Sequence, residues 1–286
     1  MITIFTPAYN RAHTLPKLYD SLLKQTCQNF EWLIVDDGST DDTRLLMEQY
    51  IAESKITIRY IYQNNGGKHR AINRGVQNAQ GEYFLVIDSD DFLGENCVEE
   101  CFAIIPDIEN ENIAGATFIL AIGELKKPIE TFGHFKSFDF AAYQWEDVKG
   151  EMSFCYKTKV LKQYLFPDFE GEKFCPESLI HNRIGHRYKV LYTDRVLAFG
   201  DYLEGGLTSN YYKLLVNNPR YAMLWYSEKI KTAHFTPSQK KIYAKGYWDI
   251  ALKAKHISLW EKLKGIPLRY TFSFFVEKLK KILRFG

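Results

Sequence analysis

Three things are scarce in this sequence: paired cysteines, long apolar runs and, over one stretch of the chain, positive charge. The five cysteines, Cys27, Cys97, Cys101, Cys155 and Cys175, are odd in number and form no CxxC. Cys97 and Cys101 fall one helical turn apart, but no histidine or second cysteine pair completes a zinc set, so reduced thiols in a cytoplasmic protein are expected. Cys175 stands beside Pro176 without a Cys–His–Asn frame and reads as structural. The seven histidines contain no HExxH, which excludes a zinc hydrolase of that type. The longest weakly polar run, Ile113 to Gly123, is too short to cross a bilayer. The opening "MITIFTPAYN" lacks the basic and apolar regions of a signal peptide, so the reading is a soluble protein or one lying on a membrane surface.

From Glu82 to Glu111 there is neither Lys nor Arg, yet ten acidic residues. From Lys253 to the end the balance reverses, with nine Lys or Arg against two Glu. A net charge of +2 conceals this asymmetry, which points to a cation-binding centre and a separate basic tail. The hydrophobic fraction of 46% and charged fraction of 25% are ordinary for a globular chain long enough to bury a large core.

What is present is a rhythm. "ITIFT" reads as a strand, and Thr14, Pro16, Leu15, Leu18, Leu22 and Leu23 as an N-cap and helical stripe. "WLIVDD" is a second strand, followed by the capped helix "STDDTRLLMEQYIAE". "KITIRYIYQ" is a third strand, "GGKHRAINRGVQNAQG" a loop and helix, and "EYFLVID" a fourth strand. Strands and helices in alternation argue for an α/β fold, with a mostly parallel, Rossmann-like sheet and helices on its faces. In such sheets ligands bind beyond the carboxyl ends of the strands. There the polar residues collect: Tyr9 and Asn10, Asp36 and Asp37, Asn64 to Lys68, and Asp88 to Asp91.

That edge has the groups a nucleoside diphosphate ester requires. Asp37 can accept from a uracil-type N–H, and Asp88 can meet a ribose hydroxyl or a metal-bound water. Asp90 can bind Mg²⁺ or Mn²⁺ directly, leaving other coordination positions to water and phosphate oxygens. Lys68 and Arg70 add positive charge for the phosphates. Taken singly, each has a plainer reading: a solvated D-x-D loop, an Asp-Asp-Gly-Ser turn, a charged helix start.

The stretches "TPAYNRAHTLPKLYDSLLKQTCQNFEWLIVDDGSTDDT" and "NNGGKHRAINRGVQNAQGEYFLVIDSDD" resemble the nucleotide-binding half of family 2 glycosyltransferases, inverting enzymes of the GT-A fold. The resemblance spans about residues 1–105. It implies that Pro7, Ala8 and Tyr9 line a base pocket, that Asp37 reads the base, and that Lys68 flanks the nucleotide. It further implies that Asp88 and Asp90 form the D-x-D pair, with Asp90 the metal ligand, Asp88 reaching the ion directly or through water, and Asp91 supporting the loop. A uridine donor is favoured by the resemblance alone. The expected division is a catalytic domain over 1–210, with a nucleotide-sugar half (1–112) and an acceptor half (113–210), then a helical basic region over 211–286.

In that family an acidic residue just before a later helix deprotonates the acceptor hydroxyl. "CPESLIHNRI" puts Glu177 there, with Ser178 in place of the second acid of the usual Glu-Asp pair. Asp168, Glu170 and Glu172 compete, and helix capping is the plainer role for Glu177. Gly205, Gly206, Thr208 and Ser209 resemble a loop that closes over the donor.

The expected activity is inverting transfer of a sugar from a nucleotide sugar to a saccharide hydroxyl, in surface polysaccharide or glycan biosynthesis. Two alternatives are a sugar nucleotidyltransferase, which "TPAYNRAHT" disfavours by having no glycine, and a non-catalytic nucleotide-sugar-binding scaffold. A D-x-D phosphatase would carry its motif after the first strand. The last twenty residues set Leu268, Phe272, Phe275, Leu279 and Ile282 at four-three spacing, with Lys278, Lys280, Lys281 and Arg284 around them. Such a stripe packs on the catalytic domain, on a second subunit as a homodimer, or on the inner face of the plasma membrane, where a lipid-linked saccharide becomes a sensible acceptor. Nucleic acid is not expected, because no binding motif accompanies the basic residues.

Overall fold

Strand β1 (Ile2–Ala8) is buried along its whole length, because residues facing both ways from the sheet meet a helical layer. Ile2 and Ile4 join Trp32, Ile34, Leu85 and Ile87 in one cluster with Leu15, Leu18, Leu22, Met47, Val98, Cys101 and Ile104. On the other face Phe5 stacks on Phe84 at 5.0 Å and lies against Gly75. The computed structural model describes residues 1–122, 136–138, 151–200, 210–233 and 235–285.

The alternation read from the sequence is observed: α1 (Leu15–Leu23), β2 (Phe30–Asp36), α2 (Thr43–Glu53), β3 (Ile58–Tyr62), α3 (Lys68–Asn78) and β4 (Tyr83–Val86). β5 (Phe92–Leu93), α4 (Cys97–Ile108), β6 (Ile113–Ile122), β7 (Lys136–Phe138), β8 (Glu151–Lys157), α5 (Thr158–Leu161), α6 (Ser178–Gly185) and β9 (Lys189–Gly200) follow. The sheet order is β3-β2-β1-β4-β8-β6-β9-β5, with β7 on β9. Pairings among β1 to β4 are parallel, as expected from their helical crossovers. The second half makes the sheet mixed, since β8 runs antiparallel to both β4 and β6.

One local expectation changes, and one gains a named residue. Thr14 occupies the N-cap of α1, but its hydroxyl donates to the carbonyl of Arg11 and caps no N–H. The start of α2 is held by Asp41, which accepts from the backbone N and the Oγ1 of Thr43 at 3.0 and 2.6 Å. Of the irregular excursion read at Lys126 to Asp147, only 136–138 lie within the described residues.

The chain falls into two compact units, 1–166 with 183–204, and 167–182 with 205–286. The second unit takes in the segment carrying Glu177, which lies within the 1–210 range expected for the catalytic domain. Its helices are α7 (Tyr211–Asn217), α8 (Pro219–Lys231), α9 (Pro237–Ala251), α10 (Leu259–Gly265) and α11 (Leu268–Phe285). Their core includes Tyr247, Trp248, Ala222, Ile250 and Ile266. α9 opens with a capping box between Thr236 and Gln239, and Pro237 suits its first turn.

Candidate active site

In the first unit, β1 and β2 run in register as far as Ala8 opposite Asp36, and the backbone N of Asp37 donates to the carbonyl of Ala8 at 2.8 Å. This aligns the loops that follow the two strands. Asn10, at φ +54, donates its backbone N–H to Ser39 Oγ and accepts from the backbone N of Thr40, each at 2.8 Å. Asp36 is fully buried and braces the turn, accepting from the backbone N of Ser39 and from the Tyr60 hydroxyl. Burial, then the hydrogen bond to Asp36, pushes that phenol well above its ordinary range. Gly38 adopts φ +86 inside the turn, and a Cβ there would meet the backbone N of Asn65 at 2.7 Å.

Asp37 is 4% exposed. Its Oδ1 accepts from Gln63 Nε2 and the backbone N of Gly66; its Oδ2 accepts from the backbone N of Gly67 and from Asn65 Nδ2. Four donors fill a carboxylate's capacity. The residue read as a base reader therefore clamps the loop between β3 and α3, and a base N–H reaches it only if a donor yields. Gln63 and Asn65 donate from side chains, Asn65 also to the Asp37 carbonyl, whereas Gly66 and Gly67 donate from the backbone.

That clamped loop launches α3, whose first residue is Lys68. The Lys68 ammonium lies 2.7 and 2.8 Å from the two carboxylate oxygens of Asp88, across the opening between α3 and the end of β4. Arg70, read as a second phosphate cation, donates to the carbonyl of Gly66 in its own loop. His69 is buried, edge-on to Phe166.

Asp88, Asp90 and Asp91 are each half-buried, and one carboxylate oxygen from each lies within 4.8 Å of the other two. Asp91, expected to support the loop, thus stands beside the D-x-D pair in space. Gly200 on β9 gives it room, since a Cβ there would lie 2.1 Å from Asp91 Oδ1. Between the acids, Ser89 is buried and accepts from Arg11 Nε at 3.0 Å. Arg11, not singled out in the sequence, ties the loop after β1 to the acidic loop after β4. Nothing in "NRAHT" signals this link, which spans 78 positions. Of the expected base-pocket residues, Pro7 and Ala8 are buried within β1, while Tyr9 is 48% exposed at the same edge. Three mutually close carboxylates form a hard oxygen donor set of the kind Mg²⁺ and Mn²⁺ prefer.

In the second unit, the loop from Pro167 is fastened to the start of α8. Glu172 is buried, and its two oxygens accept from the backbone N of Arg220 and of Tyr221 at 2.9 and 3.1 Å. The backbone N of Phe169 donates to the Tyr221 hydroxyl, and those of Lys173 and Phe174 to Asn218 Oδ1. Glu172, a competitor for the catalytic base, is thus built into a helix cap from a distant loop. Asp168 and Glu170 are exposed on the same loop. Glu177 is half-buried one residue before α6, and Ser178 is pinned by Trp225, whose indole N–H donates to its Oγ at 2.8 Å. Gly205, Gly206, Thr208 and Ser209 lie outside the described residues.

Comparison with known proteins accords with this geometry. The chain is 34% identical over 116 residues to the glycosyltransferase GlyG of Streptococcus pneumoniae, covering 40% of this chain and 38% of that protein. It is 41% identical over 102 residues to a chondroitin synthase of Escherichia coli, covering 35% of this chain and 15% of that protein. The chain therefore spans well under two thirds of these relatives. Among solved structures, S. aureus TarS 1–349 in complex with UDP-GlcNAc superposes with a TM-score of 0.63 at 20% identity, over 94% of this chain and 82% of that one. The mannosyltransferase PcManGT of Pyrobaculum calidifontis, in complex with GDP-Man and Mn²⁺, gives 0.57 at 17%, over 91% of this chain and 76% of that one. At such identities the two structures show a shared fold. The model of "Glycosyl transferase family 2" matches residues 3–164, more than half of the 286, and the chain belongs to that family.

Proposed function

We propose that this chain transfers a sugar from a nucleoside diphosphate donor, most readily a UDP-sugar, to a saccharide hydroxyl, with inversion at the anomeric carbon and with Mn²⁺ or Mg²⁺ held at Asp90 and Asp88. The observation that carries this reading is the meeting of four strand ends at one edge, with Asp88, Asp90 and Asp91 within 4.8 Å of one another and the Lys68 ammonium on Asp88. TarS with UDP-GlcNAc supports a uridine donor, and PcManGT with GDP-Man and Mn²⁺ supports a cation in this fold. The name of the chondroitin synthase relative supports a saccharide acceptor in polysaccharide biosynthesis.

Asp90 and Asp88, with Asp91 beside them, would hold the divalent cation, which would supply positive charge to the departing diphosphate. The chain's own residues do the rest. Asp37 reads the base when Gln63 or Asn65 rotates away, and Tyr9 offers an exposed ring at the same edge. Lys68 exchanges Asp88 for a phosphate oxygen as the donor arrives, which frees Asp88 for the ribose or the cation and adds charge where it develops. Inversion in one displacement needs a single carboxylate to take the acceptor proton. Glu177 is assigned that task, with Asp168 and Glu170 the remaining competitors, because both oxygens of Glu172 already accept backbone N–H groups. The working location is the cytoplasm, and a lipid-linked acceptor fits if the C-terminal helix meets a membrane.

The test is a melting-temperature screen with UDP, TDP, GDP and CMP, with and without Mn²⁺, on wild type and Asp90→Ala. Binding to the native state alone raises the melting temperature. The expected result is a rise with one nucleoside diphosphate that requires Mn²⁺ and is lost in the variant; no rise with any nucleotide overturns the reading.

A further inference from the structure

The last helix leaves most of its apolar stripe uncovered; of these side chains Phe275 reaches the core, edge-on to the Trp248 ring at 5.0 Å. On α11, Leu268, Phe272, Phe275 and Leu279 of the expected stripe are 70, 73, 36 and 58% exposed, and Leu283 beside them 83%, while the side chains of Lys281, Ile282 and Arg284 lie outside those described. At 3.6 residues per turn the five exposed apolar residues fall within about 80° of the helix circumference. The helix is nonetheless anchored, and mainly by a different face. Tyr270 and Thr271 are buried, Thr271 Oγ1 accepts from the indole N–H of Trp248, and Phe274 stacks on the same indole. An apolar stripe on a docked helix ordinarily points to the core, so this one points to something else. The short α10 adds Leu259 and Trp260, 65 and 74% exposed.

Charge selects the occupant. By helical periodicity the exposed Lys280 and Arg269 border the stripe on one side and the exposed Lys278 on the other, while Glu277 lies on the far side. A second copy packed on this stripe would bring these cations against their own equivalents. Cations flanking apolar and aromatic side chains instead match a surface with acyl chains below and anionic headgroups around them. Among the described residues no helix is long and apolar enough to cross a membrane, so the fitting arrangement is a helix lying in the interface plane.

We propose that the outer face of α11, with Leu259 and Trp260, is a docking surface for an anionic lipid bilayer. The proposal stands apart from the donor chemistry, because docking is read without any nucleotide. The experiment is flotation of the full chain with phosphatidylcholine vesicles, and with vesicles containing phosphatidylglycerol, at low and high salt. The expected result is at least tenfold more protein on the anionic vesicles, reduced by salt as screening shortens from about 10 Å at 0.1 M to about 3 Å at 1 M. Phe272→Ser with Leu279→Ser removes the binding. Lys278→Glu with Lys280→Glu lowers it at least tenfold. These positions are exposed, so both variants should keep the wild-type melting temperature. Equal binding by wild type and either double variant overturns the proposal, as does no preference for anionic vesicles. A dimer in light scattering that Phe272→Ser with Leu279→Ser dissolves, with no vesicle binding, assigns the stripe to a second copy and also overturns it.

Discussion

One carboxylate and a group of three sit at opposite ends of the same parallel strands. At the amino-terminal ends, Glu31 is fully buried and accepts from Thr3 Oγ1, the backbone N of Gln80 and Arg59 Nη1. At the carboxyl ends, Asp88, Asp90 and Asp91 are half-buried and close together, with the Lys68 ammonium placed on Asp88. The first arrangement is complete: every acceptor has a donor, and the group joins β1, β2, β3 and the turn before β4. The second gathers negative charge at a rim that water and ligand can reach. A buried charge closed by donors serves the fold, whereas acids gathered at a rim offer the oxygen donors that the proposed cation site uses.

The comparison breaks most sharply by removing one acid from each end. Asp90→Ala should lower sugar transfer about 10²–10³-fold, the range for removing a group that stabilises developing charge, with little change in melting temperature. Glu31→Ala should do the reverse. It leaves Arg59, Thr3 and the Gln80 N–H facing a vacated site, costing about 3 kcal/mol of stability by denaturant unfolding, and leaves nucleotide binding intact in the folded fraction.

Acid sharpens the same contrast. Burial alone would raise Glu31, but the donors from Thr3, Gln80 and Arg59 hold it below its ordinary 4.5. Its stabilisation is therefore fully present above that pH and is lost as pH falls through the lowered value. The stability gap between wild type and Glu31→Gln should narrow below pH about 4.5, measured by unfolding at a series of pH values. A gap that widened on acidification would reverse the sign assigned to this group.

Smaller effects test the edge itself. Lys68→Met removes the cation on Asp88. It should weaken nucleotide binding about tenfold, the size of one charge-assisted contact, while metal binding without nucleotide becomes tighter. Tyr60→Phe takes the hydroxyl from buried Asp36 and should lower stability by about 1–2 kcal/mol, without altering the nucleotide response.

What could be read from the sequence was local. Four strands, their helices and the acids at the strand ends were visible because period, order and turn residues are written over short spans. The clamp of Asp37 by Gln63, Asn65, Gly66 and Gly67, the tie from Arg11 to Ser89, and the capping of α8 by Glu172 all join residues far apart in the chain. No spacing rule reports such pairs. The antiparallel insertion of β8 between β4 and β6 escaped for the same reason. On α11 the stripe was visible in the sequence, but a helix with apolar side chains on two faces does not say which one docks. The packing of Tyr270, Thr271 and Phe274 decides it.

The most direct measurement of the central claim is the free Mn²⁺ signal in electron paramagnetic resonance, during titration of wild type and Asp90→Ala with and without UDP. The account predicts that wild type with UDP depletes free Mn²⁺ stoichiometrically and that Asp90→Ala does not. Equal depletion by both proteins, or by neither, would contradict the assignment of the acidic edge as the place where cation and nucleoside diphosphate meet.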